Sequence, residues 1–497
     1  MHMKRALLSV WNKDGITGLA QVLARAGIEI LSSGGTAKTL EKEGVPIIEV
    51  SAYTGSPEMM DGRVKTLHPR IHGGILGRRG KDDAEMQQNH IDPIDLLVVN
   101  LYPFEEMAKQ ALPLDELIEF IDIGGPAMIR AAAKNFRDVI VVIDPADYPL
   151  IIDAVRTGTP VGYDQRLALA KKVFARMAAY DGAISNYLHG MDSPFPETLS
   201  VQYRCGRTLR YGENPHQEAA VYGESGIAGA VSLQGKAMSY NNYLDTNAAV
   251  GLLREFADCA AVIIKHNNPC GVAIGTDVRQ AYLAARESDP VSAYGGIVAV
   301  NREVGADLAE EIAGTFIEVI IAPSYSPQAR TILATKENLR VLLLSEEEQT
   351  DELRTIDGGV LVQRERPFRE EWKVVTDRDP TAAEEAAMQL AMKVCRHTKS
   401  NAIVFADNTR AIGIGAGQMN RVDSARIAVS RSLFPLAGTA VASDAFLPFP
   451  DTLQVAAEAG ATALIQPGGS IRDAEVIAEA NRLNIAMVFT GVRFFRH

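Results

Sequence analysis

Ala6-Leu7-Leu8-Ser9-Val10, then Gly15 to Ala26, then Ile28-Glu29-Ile30-Leu31-Ser32-Ser33-Gly34-Gly35-Thr36, is the stretch that decides the fold class. Ala6 to Val10 reads as a short apolar strand. Within Gly15 to Ala26, Ile16, Leu19, Ala20 and Leu23 recur at helical spacing, and Gly27 is the stop. Ile28 to Leu31 is a second strand. Ser32 to Gly35 is a tight loop, and Thr36 caps a helix running to Glu43. Ile47 to Val50, Leu96 to Asn100 and Val139 to Ile143 read as further strands, and Ala127 to Asn135 as a helix. Strands alternating with helices predict an α/β protein built on a mainly parallel sheet covered on both faces.

A chain of 497 residues exceeds one core and corresponds to about three domain-sized units. Tyr163 to Tyr187 reads as a long helix, and the Pro-rich stretch Gly190 to Glu197 follows it. The expected division is therefore residues 1–190, a linker at 191–200, and a second α/β region at 201–497. Lys336 to Arg354 reads as a charged surface excursion, and neither an internal repeat nor a low-complexity segment is evident. The net charge of −12 argues against nucleic acid or an anionic membrane as partner. No stretch reaches the roughly 20 apolar residues of a membrane span. Cys205, Cys259, Cys270 and Cys395 are widely spaced and form no CxxC pair, which fits a reducing cytoplasm. The N-terminal apolar run is too short for a signal peptide.

In the first region, Ser33-Gly34-Gly35-Thr36 follows a strand and opens a helix, so backbone N–H groups there favour an anion such as phosphate. An ordinary βα turn would look the same. Arg63-Val64-Lys65-Thr66 and the Ser9 to Lys13 loop add cationic and hydroxyl groups that can converge on one phosphate. Tyr102 and Asn100 follow a strand, and Asp122-Ile123-Gly124-Gly125 precedes a helix that carries Lys134. Asp122, Tyr102, Lys65 and Lys134 supply an acid, a phenol and two amines, an inventory for proton transfer and oxyanion stabilisation without metal. Lys134 also suits a solvated helix face. His68 and His72 are four apart with Pro69 between them; with no HExxH and no Cys cluster, a metal site is rejected.

In the second region, Ala260 to Ile264 reads as a buried strand ending in Lys265-His266-Asn267-Asn268 and a Pro269-Cys270-Gly271 turn. A His beside a Lys can act as general base, because a nearby cation favours neutral imidazole. The competing reading is a His and two Asn that satisfy loop backbone. Arg210-Tyr211 offers a charged fork and a hydroxyl for phosphate or carboxylate. Gly413 to Gln418 is a close-approach loop before a helix containing Arg421. Ser443 to Asp451 puts Phe446 and Phe449 beside carboxylates, either as core or as a wall for a heterocycle. Pro269-Cys270 echoes a zinc deaminase only faintly: position 273 is Ala and no His-x-Glu precedes it.

In order along the chain, Ser9 to Lys13, Asp61 to Pro69, Ile121 to Asn135, Arg210 to Gln217, Ile264 to Gly271, Gly413 to Arg421, Ser443 to Asp451 and Phe489 to His497 resemble one family. It is the bifunctional phosphoribosylaminoimidazolecarboxamide formyltransferase and inosine monophosphate cyclohydrolase family. The resemblance implies a methylglyoxal-synthase-like N-terminal domain and a larger C-terminal region with a cytidine-deaminase-like fold lacking zinc. It also implies a homodimer with transformylase sites at the subunit interface, 10-formyltetrahydrofolate as co-substrate, and no catalytic metal. The C-terminal part would transfer the formyl group to the 5-amino group of the aminoimidazole carboxamide ribonucleotide, and the N-terminal part would close the ring.

By the same resemblance, His266 is the base that takes the amine proton, Lys265 supports the formyl oxyanion, and Asn401 lies with them. Arg210, Tyr211, Gly295, Glu318, Arg421, Phe446, Asp451 and Arg493 fall at substrate-binding positions, with Val422, Ser470 and Ile471 near folate and nucleotide. In the cyclohydrolase part Lys134 is the proton-transfer residue, with Asp122, Tyr102 and Lys65 around the reacting formamide. Asn12, Lys13, Asp14, Ser33 to Thr36, Arg63, Thr66, Asn100 and Gly124 match nucleotide-binding loops. Two positions depart from the pattern. Glu318 stands ahead of Ile320-Ile321-Ala322-Pro323 where some members have Asp, and Phe494 stands where many have His. A single-activity enzyme and a nucleotide sensor without turnover are the alternatives; two complete acid–base inventories argue against both.

Overall fold

Apolar residues at successive positions, rather than alternate ones, mark strands buried on both faces. Ala6, Leu7 and Leu8 are fully buried, as are Leu96 to Val99. These residues form the centre of a five-stranded sheet in a computed structural model that describes residues 3–191, 193–346, 351–365 and 368–497. The strands are β1 (Arg5–Val10), β2 (Glu29–Ser32), β3 (Ile48–Glu49), β4 (Leu96–Asn100) and β5 (Ile140–Val142), all parallel, in the order β3-β2-β1-β4-β5. The order reverses between β1 and β4. Ligands of open α/β sheets bind at such a switch point, outside the carboxyl ends of the strands.

The Ile16–Arg25 helix buries Ile16, Leu19, Ala20 and Leu23, the stripe the sequence predicts. Three other expectations shift. The helix after β2 starts at Gly34 with Ser33 at its N-cap, so Thr36 is not a cap. Instead the buried Thr36 Oγ1 accepts from Val10 N at 2.9 Å and donates to Val10 O at 3.0 Å, tying the helix to the end of β1. The strand expected at Ile47 to Val50 shrinks to two residues, because Val50 opens a helix to Thr54. The long helix extends over Tyr163–Gly190. A Thr36→Val substitution keeps the shape but leaves the buried Val10 N–H unpaired. It is expected to lower unfolding free energy by about 1–3 kcal/mol in denaturant titration.

The chain separates into two compact units, Met1–Gln202 and Tyr203–His497. The second holds two six-stranded mixed sheets. One runs Asn268–Ile274, Ala260–Lys265, Ile297–Val300, Val319–Ala322, Arg340–Leu343, Ser232–Gln234; the other runs Ala411–Gly415, Ile403–Ala406, Ala440–Ser443, Ala463–Gln466, Ala486–Phe489, Lys373–Val374. Their first five strands share one topology. In each, a helix (Tyr240–Leu253 or Ala382–Arg396) leads into an antiparallel hairpin. The third strand is antiparallel to the first, and two parallel strands follow. In both copies a glycine in the second hairpin strand lies under the next helix. A Cβ on Gly271 would sit 2.1 Å from Ala285 O, and one on Gly415 1.9 Å from Ser424 O.

The unit is thus an internal duplication, which corrects the reading that no repeat is present. Topology is carried by the placing of apolar runs and turns; residue identities and hairpin lengths have diverged, so no sequence period survives. Ala260, Val262 and Ile264 of one sheet and Ala402, Val404 and Ala406 of the other half share a core with the two leading helices. Ile263 and Phe405, on the opposite faces, pack on separate outer helices. The layers are helix, sheet, helix, sheet, helix. Lys336 to Arg354 is not wholly a surface excursion: Arg340–Leu343 is an interior strand with Val341 and Leu342 buried. Residues 347–350 of that stretch lie outside the described residues.

Candidate functional site

At the switch point, Asn100 fastens the end of β4 to the loop after β1. Its Oδ1 accepts from the N–H of Trp11 at 2.5 Å and of Asn12 at 2.9 Å, and its Nδ2 donates to Asn12 O at 3.1 Å. Asn12 Oδ1 in turn accepts from Asp14 N at 2.9 Å. Asn12 and Asp14 therefore shape the loop. A cavity of about 550 Å³ opens there, between the carboxyl ends of β1, β2 and β4. Lys13, Ser33 to Thr36, Arg63, Lys65, Thr66, Asn100, Tyr102, Asp122 and Gly124 line it. Sequence reasoning assembled these from five separate segments.

One end of the cavity gathers groups of positive character. No side chain caps the Gly34–Lys42 helix, so its first N–H groups are open to a ligand. A Cβ on Gly34 would lie 3.3 Å from Lys65 Nζ, and one on Gly35 3.9 Å from Lys13 Nζ, so two ammonium groups flank this turn. Burial lowers the Lys13 pKa. Lys65 pairs with Glu58 at 2.8 Å, and Arg63 pairs with Glu119 at the rim.

The other end holds Asp122. Its Oδ1 accepts from Gly125 N at 2.9 Å, and Tyr180 Oη accepts from Asp122 N at 2.8 Å while donating to Phe120 O at 3.1 Å. Burial raises the Asp122 pKa, opposed by the N–H groups of Gly125 and Tyr102. Burial pushes Tyr180 up to about 12, so its hydroxyl keeps the proton it donates. Trp11 is a site residue the sequence reading passed over: it lines the cavity, exposed, edge-on to Tyr102 at 5.1 Å and Phe120 at 6.2 Å. An aromatic directly after β1 was the available signal. Lys134 is not brought in. It ends the Gly124–Lys134 helix whose first turn lines the cavity, about 15 Å along the axis, and is exposed.

The second site is built on a hairpin. Lys265 ends one strand, Asn268 begins the next, and His266 and Asn267 have φ of 51° and 61°. Two consecutive positive φ values make a type I′ turn, the tightest antiparallel connection. Pro269-Cys270-Gly271 is therefore strand with a bulge, not the expected turn. The turn presents the His266 side chain to solvent, while Lys265 Nζ donates to Tyr294 O at 3.1 Å and Gly295 O at 2.9 Å. Gly295 is required here: its φ is 69°, and a Cβ would lie 3.1 Å from Lys265 Nζ and 3.0 Å from the Phe316 ring. Gly295→Ala is expected to displace the ammonium and to lower kcat of any reaction performed at this turn by about 10-fold or more, with chemistry in the first unit's cavity unchanged.

A cavity of about 350 Å³ beside this turn includes Lys265, His266, Asn268, Cys270, Gln418 and Arg431. The two duplicated halves meet there. Asn268 Oδ1 accepts from Lys399 N at 2.9 Å, and Asn401 Nδ2 donates to Gln418 O at 2.8 Å. Asp245, which sequence reasoning missed, accepts from Asn267 N at 2.7 Å. Burial pushes the Cys270 thiol up to about 12, so it is no thiolate. Among the described residues, no group of three His, Cys, Asp or Glu side chains could hold a metal.

The remaining predicted positions divide. Arg210 lies over the Tyr211 ring at 5.5 Å, and their loop, closed by Gly212 N to Gln217 O at 2.7 Å, touches the helix of Asp245 through Asn241 and Glu213 O at 3.3 Å. Glu318 joins that end of the helix, accepting from Asn242 at 2.8 Å with Arg340 at 3.6 Å. Phe446, Phe449 and Ile471 are exposed rather than core. Phe446, Asp451, Ser470, Ile471, Val422 and Arg493 do not line the His266 cavity; Arg493 stacks on Phe495 at 4.4 Å. Arg421 is no open ligand group: it pairs at 3.0 Å with the fully buried Asp444, which also accepts from Ser400 Oγ at 2.5 Å. Phe494 packs on Arg396 at 4.5 Å and Phe368 at 5.3 Å, an apolar role.

Comparison with known proteins adds independent findings. A family model described as AICARFT/IMPCHase bienzyme matches residues 132–431, and one described as MGS-like domain matches residues 15–127. A protein of Myxococcus xanthus (strain DK1622) named "Bifunctional purine biosynthesis protein PurH" is 52% identical over 99% of this chain and 100% of its own length. One of the same name from Magnetococcus marinus (strain ATCC BAA-1437 / JCM 17883 / MC-1) is 50% identical over 100% of this chain and 99% of its own. Among solved structures, "Crystal structure of ForH" aligns with 39% of this chain and all of its own at 35% identity, with a TM-score of 0.35, too low to bear on the fold. With a family model matching more than half of the chain and relatives covering nearly all of it at about half identity, the chain belongs to the AICARFT/IMPCHase bienzyme family.

Proposed function

We propose that this protein catalyses two consecutive steps of purine biosynthesis. The second unit transfers a formyl group from 10-formyltetrahydrofolate to the amine of the aminoimidazole carboxamide ribonucleotide. The first unit closes the formylated product to inosine monophosphate with loss of water. The observation that carries this reading is the Lys265-His266 turn. An ammonium has three N–H donors; two of those of Lys265 are held by Tyr294 O and Gly295 O, which leaves one aimed by its fixed neighbours. An amine conjugated to an imidazole ring is a poor nucleophile. His266 takes its proton as it attacks the formyl carbon, and Lys265 stabilises the oxyanion that forms. Collapse breaks the bond to the folate nitrogen, which leaves protonated as tetrahydrofolate.

In the first unit, phosphate sits at the first turn of the Gly34–Lys42 helix with Lys13, and Lys65 reaches from that turn toward the reacting group. Asp122 takes a proton from the carboxamide nitrogen as it attacks the formyl carbon, and Lys65 and Tyr102 face the oxygen that departs as water. Lys134 enters through family resemblance alone. Lys134→Ala decides its place: lost cyclisation retains it, and retained cyclisation leaves the proton work to Asp122, Tyr102 and Lys65. The remaining family-matched positions, apart from Arg421 on its partner Asp444, hold nucleotide and folate, in a cytoplasmic homodimer in keeping with exposed Tyr294 and Phe316 beside Lys265.

The test is to incubate purified protein with the ribonucleotide and 10-formyltetrahydrofolate, with chelator present, following tetrahydrofolate and inosine monophosphate together. Both products are expected. Tetrahydrofolate with stalled formylated nucleotide removes the first-unit assignment, and no turnover removes both.

A further inference from the structure

The family-matched residues do not explain why the His266-Asn267 turn keeps its conformation. Both residues sit at positive φ, a region that costs a side chain energy unless the surroundings hold it. The hairpin turn alone offers no such hold on its outer side. A second element supplies it: Asp245, midway along the Tyr240–Leu253 helix, whose Oδ1 accepts from Asn267 N at 2.7 Å. The backbone N–H of His266 and the Lys265 ammonium also lie near enough to favour the charged Asp245 carboxylate. It is half-buried, and burial raises its pKa above the ordinary carboxylate value in spite of those neighbours. One carboxylate on a separate helix thus fixes the backbone of the turn at Asn267.

We propose that Asp245 is a positioning residue for formyl transfer, its carboxylate holding the Asn267 N–H of the His266-Asn267 turn so that imidazole and Lys265 ammonium are presented in one fixed relation. The inference rests on the formyl-transfer reading of Lys265 and His266. The same helix carries Asn241, in contact with the Arg210-Tyr211 loop, and Asn242, bonded to Glu318. Positions 241 and 245 are one turn apart on one face. The helix therefore registers the turn against the loop and acid that flank it. Other charged groups facing His266 are Lys265 on its own strand, Asp289 and Arg431 across the cavity; none of these is bonded to the turn backbone.

The test measures both half-reactions in Asp245→Ala, Asp245→Ser and Asp245→Asn of the full chain. Alanine is expected to lower formyl-transfer kcat about 100-fold, the cost of an ångström-scale misplacement, with nucleotide KM and cyclisation within about twofold. Asparagine keeps an acceptor oxygen and is expected to recover most of the loss. If alanine does not fold, serine is read in its place. Formyl-transfer kcat within about threefold of the parent in folded alanine or serine protein overturns the proposal. So does an asparagine variant as impaired as alanine, or a loss confined to KM. Absence of formyl transfer in the parent protein would instead reject the underlying reading.

Discussion

Replacing His266 with alanine is expected to abolish formyl transfer and leave cyclisation intact. The expected loss is about 10²–10⁴-fold in kcat, the usual contribution of a positioned proton acceptor. The imidazole is exposed on a turn set by backbone hydrogen bonds, so its removal opens no core cavity. Lys265 keeps its two carbonyl partners, so binding of the nucleotide should change little. The measurement is tetrahydrofolate release with the ribonucleotide, set against inosine monophosphate formation from supplied formylated nucleotide. Loss of both activities in folded protein would mean that the two cavities do not work independently. Retention of formyl transfer would return His266 to the bland reading of a turn residue.

That turn illustrates what a sequence displays and what it withholds. Lys265 and His266 are visible because an apolar strand ends on them. Asp245 lies about twenty residues away on a helix whose later part, Ala248 to Leu253, is buried core, and only the packing of that helix on the hairpin makes it a partner of Asn267. The first cavity was legible for a different reason. A parallel sheet sends its loops to one edge, so residues after β1, β2 and β4 converge whatever lies between them. Lys134 shows where this fails: a helix starting at the cavity carries its last residue away from it at about 1.5 Å per residue. The duplication of the second unit stayed hidden because two strand orders can agree while turn lengths and residues differ. Arg421 reads as a ligand group until its buried partner Asp444 is seen, and no local pattern announces that pair.

Asp122→Asn tests the first unit most sharply, since it removes a proton acceptor and changes little else. An asparagine oxygen can still accept from Gly125 N, so the helix start survives. Cyclisation is expected to fall about 10²–10⁴-fold, with formyl transfer unchanged. The pH dependence supplies a second reading. Burial is the largest influence on Asp122 and raises its pKa above the ordinary carboxylate value, with the Gly125 and Tyr102 N–H groups opposing. The acid limb of cyclisation in the parent protein should therefore lie above the ordinary Asp value of about 3.9, and the asparagine variant should lose that limb. The sign for stability is the reverse of a salt-bridged carboxylate. The folded state binds this proton more tightly than the unfolded one, so the contribution of Asp122 is present below the unfolded value and is lost as pH rises through the folded one. Asn cannot ionise, so Asp122→Asn should be no less stable than the parent at neutral pH while being nearly inactive in ring closure. A residue held at a cost in stability, and needed for one reaction only, is what a catalytic carboxylate predicts; a variant equally active, or one that loses stability and both activities together, would assign Asp122 to the helix cap alone.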